Sequence, residues 1–325
     1  MGIHKCNKKR CLKCKNQMIK WGKRNGKQRW KCNNCNSIQV RKRKDVSQRN
    51  IVSKFKNSIL EFNSLNKSIS DSKISRSTID RVVSNIEVSD FAVRTYRSIP
   101  EGSIYICDAT WISKRYCVLI VYDSILKYPI AWCYSMTECK DAWVRLFLKL
   151  PRPQAIVSDG QKGLKKASTE AFLIFKHQRC VIHVVRESKN RLNKNPQTEA
   201  AIELRKIVSD ILSVKIRNDA LIWKERFEDW NLKYKEVVCE RKYDPETKRR
   251  PLVHGRLHSV RTLILNALPD LFEYVFNPLI PRTTNFVEGG INSELKELIR
   301  RHRGLKDKKK IMLVDEFLQR KKSKK

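Results

Sequence analysis

Three apolar runs, at residues 104–110, 116–122 and 129–134, follow one another with polar breaks at Asp123-Ser124 and Lys127. Runs of this length, rich in Ile, Val and Tyr and split by turn residues, predict an antiparallel meander. A helical stretch at 140–150, a short apolar strand at 155–158 and a helix at 162–171 complete an α/β unit. Beyond residue 191 the periodicity is helical, over 198–214, 220–238 and 253–268, with a charged break at 241–250 that is expected to loop over the surface. Trp223 and Trp230 share one helical face and are read as core rather than as base-stacking groups. Upstream of the strands, Ile51, Phe55, Ile59 and Phe62 recur at helical spacing. A second short pattern ends at Lys73, and Ser75 is placed to cap a helix through Thr78, Arg81 and Val82.

Charge changes the picture. Lys and Arg number 70 against 33 Asp and Glu, a formal net charge of +37. Such an excess seeks a polyanion, because neutralising phosphates releases condensed counterions. Residues 1–50 hold seventeen Lys or Arg and a single acid, Asp45, and the chain after Arg300 is again basic. Charge alone does not separate DNA from ribosomal RNA. The longest apolar run, 117–122, is far too short to span a bilayer, so no membrane partner is expected. The eleven cysteines are read as metal ligands or core thiols in a reducing compartment. With a basic surface, the two short helices and the Ser- and Arg-rich helix after them look like a helix-turn-helix, against the alternative of an ordinary helical pair.

Cys11-x-x-Cys14 and Cys32-x-x-Cys35 form two knuckles at a spacing that suits one tetrahedral Zn²⁺. The stretch between them reads as a hairpin turning at Asn25-Gly26. A piece this small needs a metal to fold. Cys6 lies just outside the pattern and is an alternative ligand.

Three acids carry the candidate chemistry. Asp108 shares a strand face with Ile104 and Ile106, where a carboxylate is costly unless a cation or donors compensate it. Asp159 ends an apolar strand at a Gly turn, the edge at which α/β sheets bind ligands. Glu288 follows Asn285 at the start of a helix. Two of them have a structural alternative: Asp159 as a helix cap, and Asn285-x-x-Glu288 as a capping box. Together they are what a two-magnesium phosphoryl-transfer site needs, since hard cations take oxygen ligands. Asp123, at a strand end before a turn, ranks below Asp108. His254 and His258 have a helical metal-pair spacing without a third ligand nearby, and are read as solvated or phosphate-facing.

The order of elements resembles the ribonuclease H-like fold. The chain also resembles transposases of the IS256/Mutator superfamily, and within it the IS1249-like group. The resemblance rests on Asp108, Ser158-Asp159-Gly160-x-x-Gly163, Gln178-Arg179-Cys180-x-x-His183, Thr283-Thr284-Asn285-x-x-Glu288-Gly289-Gly290 and Arg301-His302-Arg303-Gly304. One departure is Ala109, where relatives often carry Gly. The resemblance implies catalytic Asp108, Asp159 and Glu288 holding two Mg²⁺ (or Mn²⁺) ions, and a Cys180/His183 motif that supports the core without ligating them.

The expected architecture is therefore α/β: a ribonuclease H-like core with an all-helical insertion, preceded by a zinc ribbon and a helix-turn-helix-like segment. The expected boundaries are 1–44 for the zinc ribbon, 45–100 for the helix-turn-helix-like segment, and 101–190 for the first part of the core. The insertion spans 191–275, the glutamate helix 276–304 and a basic tail 305–325. The expected activity is cleavage of double-stranded DNA at terminal inverted repeats and transfer of the 3′-hydroxyl ends into target DNA. A homodimer on DNA in the prokaryotic cytoplasm, associated with the nucleoid, is the expected setting. The competing readings are a non-catalytic DNA-binding regulator derived from a transposase, and a nuclease of the same fold that cuts without joining.

Overall fold

A computed structural model of the chain describes residues 9–24, 27–40, 99–173 and 175–323, with isolated positions between 41 and 98. The expected helix-turn-helix falls almost wholly outside these residues. At one described point, the Thr78 amide donates to Ser75 Oγ at 3.3 Å, the capping contact expected of that serine. The chain divides into two compact units, residues 1–86 and 87–325.

In the first unit, β1 (Met18–Arg24), β2 (Lys27–Cys32) and β3 (Ile38–Val40) form an antiparallel sheet in that order. Arg24 pairs with Lys27, leaving two residues between the strands as a hairpin requires. The apolar content is small: Met18 and half-buried Trp30 pack on Cys11 and Cys32.

The second unit is built on a six-stranded sheet. Its strands are β4 (Arg94–Thr95), β5 (Ile104–Trp111), β6 (Cys117–Asp123), β7 (Tyr128–Ser135), β8 (Ala155–Ser158) and β9 (Lys176–Arg179), in the order β4-β7-β6-β5-β8-β9. β5, β6 and β7 are the antiparallel meander, and β8 and β9 extend it in parallel beyond β5. Strand alternation divides the side chains between two faces. Tyr105, Cys107, Leu119, Val121 and Cys133 face α1 (Lys140–Phe147) and α2 (Lys162–Phe172), where Trp143, Phe147, Leu164 and Phe172 complete a buried core. Each large side chain withdrawn from water there contributes about 1.5–3 kcal/mol.

The opposite face carries Ile104, Ile106 and Asp108. Its far side meets the carboxyl-terminal helix α9 (Asp307–Ser323), where Trp132 Nε1 donates to Asp315 Oδ1 at 2.8 Å. The segment expected as a basic tail is thus a packed helix that buries Ile311, Val314, Phe317 and Leu318. Its many lysines had masked a buried stripe of apolar residues at helical spacing.

Between β9 and the glutamate segment the chain is helical: α3 (Val181–Arg191), α4 (Glu199–Asp210), α5 (Arg217–Lys233), α6 (Lys235–Cys239) and α7 (Gly255–Ala267). The charged break forms a hairpin-like excursion with bridges Arg241↔Leu252 and Asp244↔Arg249. Trp223 and Trp230 are core, as expected. Both are buried, and their Nε1 groups donate to Ile207 O at 2.7 Å and Ala200 O at 2.9 Å. Helix α8 (Ser293–Arg301) then precedes α9.

Candidate active site

β5 and β8 run parallel, paired through Ile104↔Ala155, Tyr105↔Ile156 and Ile106↔Val157. Asp108 and Asp159 each lie two residues beyond the last of these pairs, so the register carries both to one level of neighbouring strands. Both are half-buried. Asp159 does not cap α2; Gln161 does, its side chain accepting from Leu164 N at 2.6 Å. Asp159 instead closes the preceding turn, its Oδ1 accepting from Gln161 N at 2.9 Å.

The chain turns helical at Asn285, as expected, but residues Val287–Asn292 form a π-helical turn before α8. The turn packs on β5. From it Asn292 donates its side-chain amide to Asp108 Oδ2 and accepts from Tyr122 Oη at 3.2 Å. Glu288 sits one turn before Asn292 on the same segment; its side chain is outside the described residues.

Sequence reasoning missed Glu138. It lies three residues past the end of β7, at the edge where the parallel strands also end, and it is half-buried. Its backbone carbonyl accepts from Gln161 Nε2 at 3.2 Å, and Trp143 Nε1 donates to its Oε1 at 3.3 Å. Burial, and after it the Asp159 carboxylate, pushes the Glu138 carboxyl up to about 7, Trp143 opposing and Asp108 adding a smaller push. Burial and then Asp108 and Asp159 likewise raise the Cys107 thiol. Asp108, Asp159 and Glu138 are therefore electrostatic neighbours. No sequence motif marks Glu138; only the fold brings it here.

Asp123 has another role. It is buried, and its Oδ1 accepts from Ile125 N and Leu126 N at 2.8 Å each, closing the β6–β7 turn.

The motif residues around the acids are braces. Cys180 Sγ accepts from Thr284 N at 3.3 Å and Thr284 Oγ1 at 3.4 Å, and Val181 N donates to Arg282 O at 3.1 Å. Against the effect of burial, hydrogen bonds from His183 and Thr284 hold the Cys180 thiol below its ordinary value. The pair thus fastens the segment leading to Glu288 onto α3. His177, spaced by three from Cys180, turns elsewhere: Nε2 lies 2.9 Å from Ser158 Oγ and Nδ1 lies 3.2 Å from Asp270 Oδ2. Ser, His and Asp in such a row suggest a nucleophilic triad. Ser158 is fully buried, however, and its Oγ accepts from Gly160 N at 3.1 Å, so the row ties the Asp159 turn to the helical body. Of the two downstream histidines, His254 lies 3.7 Å from Glu240, while His258 lines a cleft beside Asp159.

In the first unit, the ligand atoms of Cys11, Cys14, Cys32 and Cys35 all lie within 4.8 Å of one another. Four thiolates 2.3 Å from a tetrahedral zinc would stand about 3.8 Å apart, so the set fits that ion. Lys15 and Asn36, both in the left-handed region, turn the chain after each knuckle. Ser37 Oγ, 3.1 Å from Cys11 Sγ, leads the hydrogen bonds that lower this thiol to about 6 and favour the ligating thiolate. Among the described residues this is the one group of potential ligands that converges so closely; Asp108, Asp159 and Glu138 do not.

Residues 124–244 match the family model of the Mutator-family transposases. The match supports the superfamily resemblance and a transposase function. It spans less than half of the chain and includes Asp159, Cys180 and His183, but neither Asp108 nor Glu288. No curated protein matches the chain. Among the described residues, no helix is long and apolar enough to cross a membrane.

Proposed function

We propose that the protein is a metal-dependent DNA transposase of the Asp-Asp-Glu type, in the IS1249-like group, acting on double-stranded DNA at terminal inverted repeats. The observation that carries this reading is the Asn292–Asp108 hydrogen bond, which fixes the Glu288 turn against β5 beside the Asp159 strand end. The strand order, an antiparallel meander extended by two parallel strands, supports a ribonuclease H-like core.

Asp108, Asp159 and Glu288 are the residues that would hold two Mg²⁺ ions, and carboxylate oxygens suit that hard cation. When bound, such a pair supplies an activated nucleophile and stabilises the leaving oxygen. The chain's part is orientation. Asn292 and the Ala109 amide, 2.9 Å from Asp108 Oδ1, fix the Asp108 carboxylate. The Gln161 amide fixes Asp159, and the Cys180–Thr284 contact fixes the approach to Glu288. The zinc ribbon and residues 45–100 recognise the element ends, and two copies act together on DNA in the nucleoid.

The test is cleavage and joining of element-end DNA with Mg²⁺. Asp108→Ala, Asp159→Ala and Glu288→Ala should each fall to background; undiminished activity in all three would overturn the reading. Cutting without joining would identify a nuclease.

A further inference from the structure

A cleft of about 770 Å³ opens directly beside Asp159, between the start of α2, the end of β9 and helices α3 and α7. Five basic side chains line it against three acidic ones. Two of the cations are engaged within the protein: Lys165 pairs with Asp270, and Arg191 with Glu187 and Ser259. Lys162, Lys166 and Arg179 have no carboxylate partner among the described residues, and Arg179 Nε is buried without a hydrogen-bond partner. Three like charges gathered in one concavity raise its potential and draw in an anion.

Contacts also join the walls of the cleft. Arg179 packs so closely under the Asp159-Gly160 turn that a Cβ on Gly160 would meet its guanidinium at 2.7 Å. Ser158 and His177 share a hydrogen bond beneath that turn, and His177 Nδ1 lies 3.2 Å from Asp270 on the opposite wall. Lys162 and Lys166 are one helical turn apart on exposed positions of α2, so both reach the same side. His258 and Ser259 add donors from α7.

We propose that this cleft binds the phosphodiester backbone of the DNA strand running past Asp159, with Lys162, Lys166 and Arg179 each reaching a phosphate. The assignment rests on the transposase reading only for the identity of the polyanion. Its role is to hold the strand in register beside the acids, a task that the carboxylates themselves oppose by repelling phosphate.

The test reads binding rather than cleavage, so it stands apart from the test of catalysis. The full-length protein is titrated with duplex DNA over a range of salt. Lys162→Gln with Lys166→Gln is compared with Lys149→Gln with Arg152→Gln, an exposed pair outside the cleft that removes equal charge. Each lost duplex phosphate contact lowers the slope of log K against log salt by about 0.9, so the cleft pair should lower it by about 1.8. Over a fourfold salt range that is about a twelvefold weaker salt dependence. The control pair should leave the slope close to that of the unsubstituted protein. Equal changes in the two pairs, or an unchanged slope in the cleft pair, would overturn the proposal. A slope change without cleavage by the unsubstituted protein would uphold the cleft and count against the transposase reading.

Discussion

Asn292 and Asp108, 184 positions apart, share a hydrogen bond that joins the π-helical turn to the central strand. The same Asn292 side chain accepts the buried Tyr122 hydroxyl, so one amide satisfies partners on two strands. Asn292→Ala leaves the buried Tyr122 hydroxyl without this acceptor and takes one donor from Asp108, which keeps the Ala109 amide, and should lower stability by about 1–3 kcal/mol in denaturant titration. Asn292→Asp should sacrifice activity more than the alanine variant does, because a second carboxylate then repels Asp108.

Glu138 makes a pH prediction. Its carboxyl is raised from 4.5 to about 7, chiefly by burial and then by Asp159. Between these values the folded protein holds a proton that the unfolded chain has released, so stability falls as pH rises through the window. Glu138→Gln removes that dependence. Its melting temperature should match that of the unsubstituted protein below pH 4.5 and exceed it above pH 7. A constant difference across the whole range would contradict the assignment.

Metal removal should act locally. Residues 9–40 bury little apolar surface, so their fold is expected to depend on a metal held by the four cysteines. Chelation, or Cys11→Ser, should abolish bound zinc and expose the β1–β2 hairpin to protease. Residues 99–323 should melt unchanged. Zinc analysis with limited proteolysis checks both halves.

Gly160 and Gly102 offer a matched comparison, since both have positive φ, +82° and +76°. Gly102 has open space around it, so Gly102→Ala should cost only the left-handed backbone penalty of about 1–2 kcal/mol. Gly160→Ala also brings a methyl against the Arg179 guanidinium, the far end of a flexible side chain that can swing aside, so it should cost little more than Gly102→Ala. Urea midpoints measured side by side give the difference.

Much of this protein is determined by its sequence alone. The meander, the helices that follow β9 and the four-cysteine cluster are written locally, because period-two and helical patterning and knuckle spacing act over a few residues. The π turn, the packed α9 and strand β9 are not. β9 reads Lys-His-Gln-Arg, yet His177 and Gln178 are buried. Hydropathy assigns such residues to the surface. They go inside because Gln178 bonds Leu271 O at 2.9 Å and Tyr274 N at 3.1 Å, and His177 meets Ser158 and Asp270. All these partners but Ser158 lie more than ninety positions along the chain. Asp108 and Asp159 could be singled out as candidates from sequence because one lies within an apolar strand and the other directly follows one. Glu138 could not, for its environment is made by Trp143, Asp159 and Asp108 only once the sheet has formed. Local patterning fixes which elements exist, whereas the pairing of buried polar groups, a property of the assembled fold, decides which of them meet.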